Sequence, residues 1–191
     1  MQVDLETGLM RGATYVASPN FDARPAGVEA ELIVVHGISL PPGEFGGPWI
    51  ERLFTNSLPP DMHPYFAEIG GLRVSSHLLV ARDGALTQFV KFTDRAWHAG
   101  ESRYEGRAAC NDFSVGVELE GVDMIPYEAA QYETLAAVVA ALCDAYPRLS
   151  PDRMVGHSDV SPGRKTDPGP AFDWERALRR IAAARGASAR S

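Results

Sequence analysis

The stretch ELIVVHGI, residues 31–38, is a nearly unbroken apolar run rich in β-branched side chains. It has no polar face to offer water, so it reads as a strand covered on both sides. It ends in His36, where the apolar run gives out. A second strand, FSVGVELE at 113–120, alternates. Phe113, Val115, Val117 and Leu119 share one face, and Ser114, Gly116, Glu118 and Glu120 share the other. Residues 74–82 and 85–90 read as a hairpin through Arg82-Asp83-Gly84-Ala85, because Asp-Gly supplies positive φ.

Helical signals are fewer and mostly late. WIERLF, 49–54, predicts a short helix between two irregular stretches, PPGEFGGP and LPPDMHPYF. Pro126 suits a first helical turn, Leu135, Val138, Val139, Leu142 and Tyr146 recur at helical spacing, and Pro147 ends the run. Asp173 is a good N-cap for a further helix with Trp174, Leu178 and Ile181 on one side. Residues 1–30 read as loop-rich, and Trp97, His98 and Gly100 fall in a polar loop. This order predicts an α+β (mixed α/β) domain, not a doubly wound repeat. No linker composition interrupts the 191 residues, so one domain over 1–185 is expected, with 186–191 as a disordered tail.

Net charge is −7, which disfavours nucleic acid and anionic membrane as partners; an anionic ligand must meet local Arg or Lys. The N-terminal MQVDLETGLMRG reads as neither a secretory leader nor a membrane span, so a cytoplasmic location is expected. Two cysteines, Cys110 and Cys143, make no disulfide framework and are expected reduced. GRKT at 163–166 lacks the first glycine of a phosphate loop. A lone Cys in an acidic protein has no stated reason to be a thiolate, which argues against a Cys110–His98 nucleophile–base pair.

A lone histidine is more often a hydrogen-bonded structural residue than a ligand. Two of the five have more to recommend them. His36 closes a buried strand, and Met154-Val155-Gly156-His157 repeats the arrangement. Asp167 follows ten residues later in HSDVSPGRKTDPGP, whose prolines and glycines predict an irregular loop. Two histidines and a carboxylate are a three-ligand set that leaves zinc a fourth position for water. Glu118 and Glu120 share a strand face, and either could be a base beside such a metal; the plain alternative is a solvated edge strand. Gly116 on that face marks a close approach of something.

Taken in order, HGISLPPGEFGGPWI, HPYFAEI, RVSSHLLV, RDGALTQFV, RAWHAG, CNDFSVGVELEG and GHSDVSPGRKTDPGPAFDW resemble the AmpD-type N-acetylmuramoyl-L-alanine amidases, from about Ser18 to Trp174. The resemblance implies a central mixed β-sheet flanked by helices, the fold shared with peptidoglycan recognition proteins and phage amidase lysozymes. It implies a zinc-dependent cytoplasmic monomer that cuts the amide between the lactyl group of 1,6-anhydro-N-acetylmuramic acid and L-alanine in small muropeptides. It places one Zn2+ on His36, His157 and Asp167, makes Glu118 rather than Glu120 the catalytic glutamate, and makes Lys165 the catalytic lysine. Candidate substrate contacts are Tyr65 as a hydrogen-bond donor, Arg73 and Arg107 for stem-peptide carboxylates, and Trp97 for the sugar face. Gly37 stands where the family commonly has Asn, and Ala108 and Ala109 stand where relatives can hold charge. Rival readings are a muropeptide-binding module without catalysis, a lytic amidase of intact wall and a cytosolic metal-dependent amidase of an unrelated metabolite.

Overall fold

The computed structural model describes residues 1–188. Its strands are β1 (Gln2–Asp4), β2 (Leu9–Arg11), β3 (Thr14–Tyr15), β4 (Phe21–Ala23), β5 (Leu32–Ile38), β6 (Leu78–Val80), β7 (Leu86–Gln88), β8 (Asp94–Ala96), β9 (Arg103–Tyr104), β10 (Arg107–Ala108), β11 (Ser114–Glu120) and β12 (Met154–Gly156). The helices are α1 (Trp49–Phe54), α2 (Pro64–Ile69), α3 (Ala129–Ala145), α4 (His157–Val160) and α5 (Trp174–Ser188). Six strands form one mixed sheet in the order β12-β5-β11-β6-β7-β3. Strands β12, β5, β11 and β6 run parallel, and β6 turns back antiparallel into β7 through the Asp83-Gly84 turn, where Gly84 takes φ 86°.

The ELIVVHGI run becomes β5, second from the sheet edge, with Leu32 to Val35 fully buried. Each such side chain contributes about 1.5–3 kcal/mol of burial. Ile33 and Val35 join Val115, Val117 and Leu119 of β11 in a core with Leu135, Val138, Val139 and Leu142 of α3 and Ala177 and Ile181 of α5. Leu32 and Val34 pack the opposite face with Ala99, Cys110, Phe113 and Val160. A third cluster joins α1 and α2 through Ile50, Leu53, Phe54 and Phe66 to Phe89 and Val90.

Several expectations need correction. The first thirty residues hold four short strands: β1 pairs with β2 and β4 pairs with β8, each element of two or three residues being too short to show alternation. HPYFAEI is helical: Pro64 stands at the start of α2, where its missing N–H costs nothing, and His63 Nδ1 accepts the Tyr65 N–H at 3.1 Å. The first four residues of HSDVSPGRKTDPGP form the single turn α4. Helix α3 starts three residues after Pro126, because Gln131 Oε1 accepts the Glu128 N–H at 3.0 Å and fixes the start there. On α5 the buried stripe is Ala177 and Ile181 with Trp174 partly covered, while Leu178 is 41 % exposed. That helix runs through Ser188, into the segment read as a tail, and 189–191 lie outside the described residues. Strand β11 is no solvated edge: all seven residues are buried between β5 and β6. Its polar face is the floor of a site.

Candidate functional site

Parallel pairing sets His36 of β5 directly beside Glu118 of β11. Both side chains leave the sheet on the face away from α3. Strand β12, on the other side of β5, delivers His157 at its end, where α4 begins. The loop then returns Asp167 to the same point, anchored by the Ser158 N–H donating to the Asp167 carbonyl at 3.0 Å. Tyr127 Oη braces the next residue by donating to the Pro168 carbonyl at 2.9 Å.

Three atoms converge. His36 Nδ1 lies 3.0 Å from His157 Nδ1 and 3.3 Å from Asp167 Oδ2, and His157 Nδ1 lies 3.0 Å from the same Oδ2. His157 Nε2 is 3.2 Å from the Ala99 carbonyl, which can only accept, and 3.5 Å from Arg164 Nη2, which can only donate. The spacing of the three converging atoms is close to the roughly 3.3 Å edge of a tetrahedron of zinc ligands. The donor set fits zinc: two imidazoles and one carboxylate, all three residues wholly or mostly buried.

The surroundings shape the charges. Burial pushes the His36 imidazole down to about 4, although Asp167 pulls the other way. Glu118 goes the other way: burial first, then the Asp167 charge, raise its carboxyl well above the usual value, against a smaller pull from Lys165. Glu118 Oε1 stays 3.9 Å from His36 Nδ1, and among the described residues no side chain or backbone N–H donates to it within hydrogen-bond distance. Glu118 is thus a basic carboxylate left available at the cluster's edge.

The cluster lies in a cleft of about 680 Å³. Its lining includes the polar His36, Glu118, His157, Lys165, Asp167 and Asp123, the apolar Leu53, Phe54, Ile69 and Val74, and the amphipathic Tyr65 and Trp97. Lys165 is exposed on the loop between α4 and Asp167. Of the candidates from sequence, His36, Glu118, His157, Lys165, Asp167, Tyr65 and Trp97 are brought together. Arg73 sits just outside the lining, next to Leu72 and Val74, with Nη1 toward the Gly71 and Leu72 carbonyls. Arg107 is not at the cleft: it pairs with Glu31 and lies over Phe113 at 3.9 Å.

Sequence reasoning missed Asp123 and Arg164 as lining residues, and His98 behind His36, with Nδ1 2.9 Å from His36 Nε2. The signal for His98 was Gly116. A Cβ there would lie 2.5 Å from the His98 ring, which is the close approach that this glycine permits.

The family model described as N-acetylmuramoyl-L-alanine amidase matches residues 26–170. The 1,6-anhydro-N-acetylmuramyl-L-alanine amidase AmpD of Escherichia coli (strain K12) is 59% identical over 172 residues, 90% of this chain and 93% of that protein. A crystal structure of a selenomethionine AmpD derivative superposes with a TM-score of 0.91 at 54% identity, covering 95% of this chain and 99% of that one. The amidase AmiD from E. coli, solved with anhydro-N-acetylmuramic acid-L-Ala-D-γ-Glu-L-Lys, superposes with a TM-score of 0.58 at 26% identity, covering 82% and 60% of the two chains.

Proposed function

The chain belongs to the N-acetylmuramoyl-L-alanine amidase family, and on that premise we propose that it hydrolyses the amide between the lactyl group of 1,6-anhydro-N-acetylmuramic acid and L-alanine in small muropeptides. The observation that carries the reading is the convergence of His36 Nδ1, His157 Nδ1 and Asp167 Oδ2 beside a basic, unpaired Glu118 on the floor of a cleft. His36, His157 and Asp167 would hold one zinc ion. When bound, zinc polarises the scissile carbonyl and makes water acidic enough to attack at neutral pH.

The chain's own groups do the rest. Glu118 takes the proton of the attacking water and passes it to the departing nitrogen, a role that its raised proton affinity suits. Water first adds to the carbonyl carbon, and the carbon–nitrogen bond then breaks as the carbonyl re-forms, leaving a lactyl carboxylate and the free amine of L-alanine. Lys165 sets a positive charge beside the developing oxyanion, worth about 3 kcal/mol if it acts as a single typical donor. Tyr65 and Trp97 line the cleft and are available to the sugar, and Arg73, just outside the lining, is available to a stem-peptide carboxylate.

Cys110 and Cys143 are buried free thiols, as the reducing cytoplasm would keep them. No described helix is long and apolar enough to cross a membrane.

The test is to incubate the purified protein with anhydro-muropeptide, with and without a chelator, and to identify the products by mass. Release of the intact stem peptide that stops on chelation and returns with zinc is expected. Unchanged muropeptide in the presence of zinc would overturn the reading. His157→Ala should carry less than a tenth of the wild-type zinc on metal analysis; full retention would remove His157 from the ligand set.

A further inference from the structure

Behind His36 lies a chain of buried polar groups that reaches away from the cleft. His36 Nε2 is 2.9 Å from His98 Nδ1, His98 Nε2 is 3.1 Å from Ser114 Oγ, and Ser114 Oγ is 2.6 Å from the Cys110 carbonyl oxygen. His36 is 2 % exposed, His98 9 % and Ser114 fully buried, so water is not the usual partner of any of them. The chain can be read from its far end. A carbonyl only accepts, so the single Ser114 hydroxyl proton points at Cys110. Ser114 Oγ must then accept from His98, which places the His98 proton on Nε2. His98 Nδ1 is left with a lone pair and must accept from His36, which places the His36 proton on Nε2. One arrangement of protons satisfies every link, and it leaves the His36 Nδ1 lone pair facing His157 and Asp167.

We propose that His98 is a positioning residue for the metal, and that with Ser114 it forms a one-way hydrogen-bond relay from the Cys110 carbonyl that locks His36 in its Nε2-protonated tautomer and aims Nδ1 at the ligand cluster. This rests on zinc being held by His36, His157 and Asp167. The rest of the framework is built to place the relay. Gly116 leaves room for the His98 ring, where a Cβ would sit 2.5 Å from it. Asn111 Oδ1 accepts the His98 and Ala99 N–H groups at 3.2 and 2.8 Å and fixes the backbone that carries the ring. Ser114, Gly116 and Glu118 are successive residues on one face of β11, so the strand that supplies the base also supplies the relay's anchor. Groups that orient a ligating histidine are commonly worth 10–100-fold in metal affinity.

Two measurements test this. The first is the ring-nitrogen spectrum of 15N-histidine-labelled wild-type protein freed of metal. His36 and His98 should both carry their proton on Nε2, and a proton on His36 Nδ1 would overturn the proposal whether or not zinc binds. The second is the zinc dissociation constant, by competition with a chromophoric chelator, for wild type, Ser114→Ala, His98→Phe and His98→Gln. Ser114→Ala touches no ligand, yet it should weaken zinc about 5–10-fold by freeing the direction of the relay. His98→Phe should weaken it about 10–100-fold, and His98→Gln, which can accept and donate in turn, should recover part of that loss. A merely structural His98 would move the melting temperature and leave these constants within twofold, which would sink the proposal. Should His98→Phe fail to fold, Ser114→Ala and the wild-type spectrum decide the matter. A wild-type protein that binds no zinc refutes the metal reading, and the spectrum then separately decides the relay.

Discussion

Glu118 and Glu120 leave the same strand on the same face two residues apart, and their surroundings divide their work. Glu120 is fully engaged: Oε1 accepts the Gly46 N–H, and Oε2 accepts the Arg82 N–H at 3.0 Å. It ties the loop bordering the cleft to the β6–β7 turn. Glu118 has no such partner, and burial makes its charge expensive. Glu118→Gln should therefore keep zinc and lose about 100- to 10,000-fold in turnover, the range for a lost general base. It should also stabilise the metal-free fold. A carboxyl whose pKa is raised on folding favours the fold fully below its unfolded value, 4.5, and that advantage is lost as pH rises through the folded pKa. At pH 7 the amide removes the resulting cost, so the melting temperature of the metal-free variant should rise, most clearly at neutral and higher pH. Glu120→Gln should lower the melting temperature, because its NH2 would face an N–H, at a cost of about 1–3 kcal/mol, with kcat changed far less than for Glu118→Gln. The opposite ranking of the two kcat values would reverse the assignment. Lys165→Ala, argued to act on charge and not on coordination, should cut turnover about 100-fold with zinc content unchanged; parallel loss of zinc would contradict that role.

At the scale of elements, the long buried strands were legible because burial on both faces leaves a plain mark. Strand β5 starts within one residue of the ELIVVHGI run and ends with it, and the Asp83-Gly84 turn pairs β6 with β7 as read. What stayed hidden depended on partners distant in sequence. Ser114, Gly116, Glu118 and Glu120 look like a solvated face, and only the fold shows them buried beneath the site. Pro64 reads as a breaker unless its place at the first turn of α2 is known. The two histidines at strand ends were visible in the sequence; their meeting at 3.0 Å needed the β12-β5 pairing. Arg107 shows the limit most sharply. A cation in an acidic chain suggested a carboxylate of the substrate, but the carboxylate that Arg107 meets from the β9–β10 hairpin belongs to Glu31, and its guanidinium covers Phe113. With the Arg107 side chain 44% exposed the pair is screened, so Arg107→Ala should cost less than about 1 kcal/mol of stability by denaturant titration. KM for a stem-peptide substrate should stay within twofold. A fivefold rise would return Arg107 to the substrate site.

For the whole molecule, the cleft's division into a polar floor and an apolar wall bears on which sugar it accepts. The protein carries net charge −7, so long-range attraction does not gather anionic muropeptides; recognition must be made by contact inside the cleft. Its volume of about 680 Å³ lies within the roughly 300–1,000 Å³ typical of small-molecule sites. Among the lining residues Leu53, Phe54, Ile69 and Val74 have no side-chain group that could pair a hydroxyl. The 1,6-anhydro bridge joins its two closing carbons through one shared oxygen, whereas ordinary muramic acid presents a hydroxyl on each. Against an apolar wall those hydroxyls lose water and gain no partner, so the ordinary sugar should be the poorer substrate. The margin is bounded, because apolar pockets reject an added hydroxyl by only about 100-fold. Comparing kcat/KM for anhydro- and ordinary muramoyl peptides with the same stem should give a preference for the anhydro sugar of about 10- to 100-fold. Equal values, or a preference for the ordinary sugar, would point to a lytic amidase of intact wall and against the recycling of small muropeptides.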